Sequence, residues 1–560
     1  MMRPFLSRPL GLSLALLSLL VIATDTRAQQ GGGMGMGSGA EMTYHPPDNP
    51  DFRLKSPVLW QVFQRDQNDT ASVPLVIAGD GLKVQDVSVN HLSGNPVADA
   101  AFEGGKVSNI PVGGPYTAHY TVVRGNEAVG TFNSAPFFVG DLWVLAGQSN
   151  MEGVGDLVDV TPPHASVAAL GMDGKWVQAK EPLHWLVDSP DPVHSGDAST
   201  REQRSKDQHA SRRKGAGLGL PFGVAMVGAT GVPVGLVAAA HGGTSMAQWD
   251  PAKKGEGGNS LYGSMVRQVQ LAGGKVKGVL WYQGESDANP DAAKVFPKVF
   301  GGFIAAVRSD LGQPDLPFYY VQIGRFIREQ DPKPWNAVQD AQRTLVDAIP
   351  NTAVISIIDL ELDDLIHVGT RGLKRAGQRL ARIALREQFG QVGATTPTLD
   401  KVFPGAGETL IVKFKGVNFR SRSGQEFGGQ PFSTQPGQGM GGGQGMMGRD
   451  AGPGFRQMGG GMGMGGMPAT LARETTLGLQ PAHHIAGFSI RKADGAEIPL
   501  IYEALVGPSR DAVILKLASK PPAGAQLWYG YGLDPYCNLT DSLDMAVPVF
   551  GPIALDPKPE

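Results

Sequence analysis

Hydrophobic and polar positions alternate in three different rhythms along this chain. From Glu41 to Val139, short β-type runs such as Val58-Leu-Trp-Gln-Val-Phe63 and Tyr116–Val123 are broken by turn signals such as Gly79-Asp-Gly81 and Pro111–Pro115. Strands at that spacing, with no helical period between them, predict a β-sandwich-like domain over residues 41–139. After Gly140 the rhythm becomes strand then helix. Apolar runs at Leu142–Ala146, Val234–Ala240, Gly278–Tyr282, Pro317–Ile323 and Ala353–Ile358 read as buried strands. Helices are predicted between and after them at Gly219–Thr230, Ser260–Ala272, Ala292–Leu311, Trp335–Ile349 and Thr370–Phe389. The last carries Leu373, Ala376, Leu380 and Ile383 at three-to-four spacing, one apolar stripe of an amphipathic helix. The alternation predicts an α/β domain over 140–392, built on a doubly wound, five-stranded parallel sheet. Beyond Thr395, β-type alternation returns at Leu410–Phe414, Phe488–Ile490, Ala512–Leu517 and Leu527–Tyr531. A second β-sandwich-like domain is expected over 393–560.

Composition alters this picture at the N-terminus and in one interruption. The chain has 560 residues, enough for several cores, and 78 glycines and 18 methionines. Many of those glycines and methionines lie in residues 29–40 and 422–468, which are expected to be a flexible lead-in and a disordered insert. Clustered thioethers can bind soft metals, but the methionines follow no spacing rule, and no metal site is assigned to them. Residues 1–28 place Arg3 and Arg8 before an apolar run from Leu10 to Ala23, then Thr26-Arg-Ala28. That is the layout of a secretory signal peptide, so a secreted or periplasmic protein is expected. No later run is long and apolar enough to predict a membrane span. Cys537 is the only cysteine, which excludes an intramolecular disulfide and a cysteine metal cluster. A net charge of −3 argues against a nucleic-acid partner.

Chemistry-bearing residues gather where the predicted strands end. Leu142–Ala146 runs into Gly147-Gln-Ser-Asn-Met-Glu-Gly153, which puts Ser149 at the carboxyl edge of the sheet, where open α/β folds bind ligands. Val234–Ala240 is followed by His241-Gly-Gly-Thr-Ser-Met-Ala-Gln-Trp249, and Gly278–Leu280 by Trp281-Tyr-Gln-Gly-Glu-Ser-Asp287. Ala353–Ile358 leads into Asp359-Leu-Glu-Leu-Asp-Asp-Leu-Ile-His367. Turn chemistry alone is indifferent to which end of a sheet it occupies. A serine needs a base to become nucleophilic, and a carboxylate fixes the tautomer of that base. Asp364 and His367 stand close enough in sequence to face one side of a turn and serve Ser149. The plainer readings are that Ser149 and Asp364 cap turns or helices and that His367 is a surface histidine. Donors for an oxyanion could come from the N–H of Ser149, the N–H of Gly242 or Gly243, and the amide of Gln283. Gln283 could equally bridge loops.

These four blocks, in this order, resemble the SGNH hydrolase superfamily. More narrowly, Val139–Gly153 is similar to the branch of sialate O-acetylesterases and family-six acetylxylan esterases. The β regions on either side, including Tyr529-Gly-Tyr-Gly-Leu-Asp-Pro535, resemble the sialate O-acetylesterase layout. The resemblance implies an SGNH-type, flavodoxin-like catalytic domain and a serine esterase acting on an acetylated carbohydrate. It implies a reaction that needs no metal or other cofactor. Ser149 becomes nucleophile, His367 base and Asp364 its partner, with Ser149, Gly242, Gly243 and Gln283 at the oxyanion. Gln148, Asn150, Trp249 and Glu285 become candidates for the loops that meet substrate. Gln148 and Gln283 depart from the Asp and Asn of many superfamily members, which leaves the oxyanion donors less defined than the three catalytic residues. Glu285 and Asp287 could suggest glycoside hydrolysis, but no second, separated carboxylate is in register, so both read as loop organisers. The segment 155–215 would lie over the sheet edge. Its Arg201, Arg204, Lys206, Arg212, Arg213 and Lys214 could meet an acidic sugar or form a solvated face. A non-catalytic carbohydrate-binding protein and an esterase for non-sugar esters are the alternative functions.

Overall fold

The fold is built around one strand, β1 (Phe137–Gly147), whose eleven residues are all buried. In the computed structural model, which describes residues 42, 44, 52–390, 393–419 and 484–555, this strand belongs to two layers. Its first part pairs with the N-terminal β region: Phe138–Gly140 run parallel to Val62–Gln64, and Phe137 lies opposite Tyr116. Its second part, from Asp141, enters the central sheet. The expected border at 139/140 thus falls inside a single strand. The expected signal peptide, lead-in and glycine-methionine insert lie outside the described residues.

The central sheet continues with β2 (Val167–Leu170), β3 (Trp176–Gln178), β4 (Val234–Ala238), β5 (Gly278–Tyr282), β6 (Phe318–Val321) and β7 (Thr352–Ile355). The order across it is β3-β2-β4-β1-β5-β6-β7, parallel except for β3. The five-stranded parallel sheet is therefore corrected to a larger, mixed one. A sixth parallel strand, β2, and an antiparallel edge, β3, come from the segment 155–215, expected to lie over the sheet edge. The four buried residues of β2, Val-Ala-Ala-Leu, are too short a run to stand out among polar neighbours.

Helices cover both faces. In chain order the helices are α1 (Ser149–Glu152), a turn at Pro192–Ser195, α2 (Ala198–Ser211), α3 (Gly219–Thr230), α4 (Leu261–Leu271), α5 (Ala292–Asp310), α6 (Lys333–Ala348) and α7 (Thr370–Phe389), of which α3 to α7 pack on the sheet while α2 buries no residue. Trp143 pairs with Gly278 and Ala146 with Trp281, so period-two alternation sends the two tryptophans to opposite faces. Trp143 meets Phe222 of α3, while Trp281 meets Phe300 and Phe303 of α5. In α7 the stripe Leu373, Ala376, Leu380 and Ile383 is buried as its spacing predicts.

The N-terminal β region has its own core around Val73, Ile110, Tyr120 and Phe137. In the C-terminal region, two four-stranded antiparallel sheets share a core that includes Val412, Leu515, Leu527 and Phe550. Charged contacts tie that region to the central domain. Arg379 of α7 is fully buried and reaches both Asp359, before the His367 loop, and Asp544. Arg325, after β6, pairs with Asp534 at 2.5 Å.

Candidate active site

Strand β1 stops because of local backbone geometry. Gly147 has φ +135°, and a Cβ there would lie 2.2 Å from the carbonyl oxygen of Tyr282, so only glycine fits between the two strands. The N–H of Gln148 still donates to that same oxygen at 2.9 Å. The chain then turns into the single helical turn α1 and presents Ser149 at the carboxyl edge of the sheet. The loop between β7 and α7 brings His367 over it.

Ser149 Oγ lies 2.9 Å from His367 Nε2, and His367 Nδ1 lies 2.8 Å from Asp364 Oδ2. Because an ionised carboxylate only accepts, Asp364 fixes the proton on Nδ1 and leaves Nε2 to accept from the serine hydroxyl. The other oxygen of Asp364 accepts the N–H groups of Ile366 and His367, each at 2.9 Å. Partial burial raises the Asp364 pKa, but those hydrogen bonds and His367 outweigh it and hold the carboxyl below its usual range.

Asn150 locks this arrangement. It is buried, donates to Glu285 Oε1 at 3.0 Å, and accepts the N–H of Val368 at 3.1 Å. The next residue after Ser149 therefore holds the residue after His367. Burial pushes the Glu285 carboxyl up, against the pull of Asn150.

Residues 139–386 match the model of the family described as carbohydrate esterase, sialic acid-specific acetylesterase. The match spans most of the central domain. A probable carbohydrate esterase from Arabidopsis thaliana is 28% identical over 277 residues, covering 45% of this chain and 92% of that protein. The crystal structure of a carbohydrate acetylesterase from Xanthomonas citri is similar in fold, with a TM-score of 0.54 at 22% identity. That likeness covers 89% of this chain and 99% of the other, and so takes in the β regions outside the esterase-family domain.

Around Ser149, the expected oxyanion donors divide. Among the described residues, the N–H groups of Ser149 and Gly243 have no intramolecular acceptor. The N–H of Gly242 is engaged with Glu152 Oε2 at 2.9 Å. The amide nitrogen of Gln283 donates to Thr244 O at 3.2 Å and to Asp287 Oδ2 at 2.5 Å, so both of its hydrogens are used. Gln283 thus bridges loops, while the N–H groups of Ser149 and Gly243 remain the unengaged ones of the four expected donors.

The substrate-loop candidates are corrected as well. Trp249 is fully buried against Trp281 and Phe303, with its indole N–H donating to Thr244 Oγ1 at 2.9 Å. Gln148 is buried, and with its nitrogen turned inward it donates to Thr244 O at 3.2 Å and Glu285 Oε2 at 3.3 Å. Gln148, Asn150 and Glu285 therefore join the loops to one another rather than lining an open surface. Asp287 likewise accepts the Met246 N–H at 2.9 Å. Of the cations on segment 155–215, Arg201, Arg204 and Arg212 donate to backbone carbonyls, while Lys206 and Lys214 pair with Glu202 and Asp156.

Two features went unread in the sequence. Glu152 sits in the serine block at helical spacing from Ser149, a signal that was available. His194 and His241 meet through their Nδ1 atoms at 3.0 Å. They are 47 residues apart, His194 in the helical turn Pro192–Ser195 and His241 in the loop after β4, and no local pattern links them.

Proposed function

We propose that this protein is a serine esterase that removes O-acetyl groups from a carbohydrate through an acetyl-enzyme intermediate. One observation carries the proposal: Ser149, His367 and Asp364 form a continuous pair of hydrogen bonds at 2.9 and 2.8 Å. In the first step the serine proton moves to His367 Nε2 as Oγ attacks the acetyl carbonyl. The tetrahedral oxyanion accepts from the N–H groups of Ser149 and Gly243. The imidazolium, steadied by Asp364, gives its proton to the departing sugar oxygen. Water, deprotonated by the same imidazole, then releases acetate and restores Ser149.

The esterase-family match over 139–386 supports a carbohydrate ester as substrate. Sialate O-acetyl esters and acetylated xylan are the two classes to try first. A secreted or periplasmic setting rests on the first 28 residues. A non-catalytic sugar-binding protein would have no need of a serine, imidazole and carboxylate aligned in sequence, and a non-sugar esterase is not favoured by the family match.

Hydrolysis of p-nitrophenyl acetate by wild type and Ser149→Ala tests the reaction class, with kcat/KM expected to fall by at least about 10³-fold. Release of acetate from O-acetyl sialosides and acetylated xylan then separates the substrates. Equal rates for wild type and Ser149→Ala, or none from folded wild type, would remove the esterase reading.

A further inference from the structure

We infer that Glu152 is a positioning residue of this site, its carboxylate holding the Gly242 peptide so that the following N–H, that of Gly243, is set for the oxyanion. The inference rests on the esterase reading above. Glu152 closes the helical turn that Ser149 opens, which puts its carboxylate beneath the serine and beside the loop after β4. Its Oε2 accepts the Gly242 N–H at 2.9 Å. A Cβ on Gly242 would lie 3.0 Å from that oxygen and 3.4 Å from Ser149 Cβ, so the loop passes close to both and a side chain would force it away.

The loop is anchored on each side of this bond. The N–H of His241 donates to Gly147 O at 3.0 Å, and the Thr244 hydroxyl donates to His241 O at 2.7 Å. Between these anchors stand Gly242, held by Glu152, and Gly243, exposed and with φ +69°. Two successive glycines can take many orientations, and the bond to Glu152 selects one of them. An N–H aimed in advance costs no reorganisation when charge develops.

Glu152 is itself held from the far side. Its Oε1 lies 3.6 Å from Arg212 Nη2. Arg212 donates to His184 O and Lys214 O, each at 2.7 Å, and its guanidinium lies over the Trp185 ring at 5.0 Å. Segment 155–215 thus reaches the oxyanion loop through one ion pair. Burial pushes the Glu152 carboxyl up, against the Gly242 N–H, Arg212 and His367, which all favour its charged form. Arg212 is thus the cation that faces the carboxylate on the side away from Gly242.

Steady-state hydrolysis of p-nitrophenyl acetate by Glu152→Ala, Glu152→Gln and Glu152→Asp tests the role. The alanine variant loses the acceptor, and its kcat is expected to fall about 10–100-fold while KM stays within about twofold. Glutamine keeps an acceptor oxygen at the same reach and is expected to recover most of kcat. Aspartate is one methylene short and is expected to resemble alanine. Wild-type kcat in Glu152→Ala would overturn the role, as would a glutamine variant no better than alanine. If the alanine variant does not fold, the aspartate variant decides, and wild-type kcat there is equally contrary. Folded wild type that hydrolyses no ester would remove the esterase reading and the positioning role together, an outcome distinct from active wild type with indifferent Glu152 variants.

Discussion

A histidine beside an active site is either a participant or a structural group, and its partners decide which. His367 faces a carboxylate on one nitrogen and a serine on the other. His194 faces only structural partners, the His241 ring through Nδ1 and Ser264 Oγ through Nε2, each at 3.0 Å. Ser264 continues to Asp191, which also pairs with Arg267. Burial first, then the neighbouring His241, His184 and Arg267, lower the His194 pKa from the ordinary 6.5 to about 3. A depressed histidine pKa means that the unfolded chain binds a proton the folded one refuses. The corresponding stability is present above pH 6.5 and is lost as pH falls toward 3. His194→Gln removes this term. Denaturant unfolding between pH 6.5 and 4 should show a shallower acid loss in His194→Gln, by up to about 1.4 kcal/mol per pH unit. Parallel stability curves would count against a buried neutral His194. None of this pair was legible in the sequence, whereas Ser149, Asp364 and His367 each stood in a recognisable block at a strand end.

Loops that cross a sheet edge hold their shape through side-chain bridges, and here Asn150 is the central one. Asn150→Ala leaves Glu285 Oε1 without the Asn150 donor and the Val368 N–H without its acceptor, both in buried residues. Each orphaned group costs about 1–3 kcal/mol. The expected result is a lower melting temperature together with reduced kcat, since the Val368 contact holds the loop that carries His367. A variant with unchanged melting and unchanged kcat would contradict that bridge. Strands and helices with long periodic patterns, α7 above all, were legible in advance. Strand β2 was not, because four buried residues in a polar segment give no period. The orientation of the loop residues Gln283 and Trp249 was not legible for a related reason. A sequence shows that a residue sits on a loop at the sheet edge, but not which side of that loop it faces. In both cases the side chain turns inward, and its N–H groups satisfy other loop atoms.

The molecule's three cores meet at the elements that build the site. Strand β1 carries buried residues of both the N-terminal and the central core. Asp141 in this strand, almost fully buried, pairs with Arg65 at 2.7 Å across that junction. On the other side, Arg375 and Arg379 reach Asp544 of the C-terminal region and Asp359 at the root of the loop that carries His367. Asp544 has φ +59°, a conformation that asparagine tolerates well. Asp544→Asn therefore isolates the charge. It should destabilise the fold by about 2 kcal/mol, below the usual cost of breaking a buried pair because Asp359 remains. Thermal unfolding checks this, and an unchanged midpoint would show that the C-terminal contact is dispensable. The pattern announced three regions, but not these junctions, since ion pairs between distant residues leave no local trace. Function at this scale reduces to one claim, that the assembly activates Ser149. Treatment with diethyl p-nitrophenyl phosphate followed by peptide mass spectrometry tests it most directly. The account predicts one phosphoryl adduct, on Ser149, formed in step with loss of esterase activity and absent from Ser149→Ala. Full activity in the labelled protein, or an adduct on another residue that tracks the loss, would contradict it.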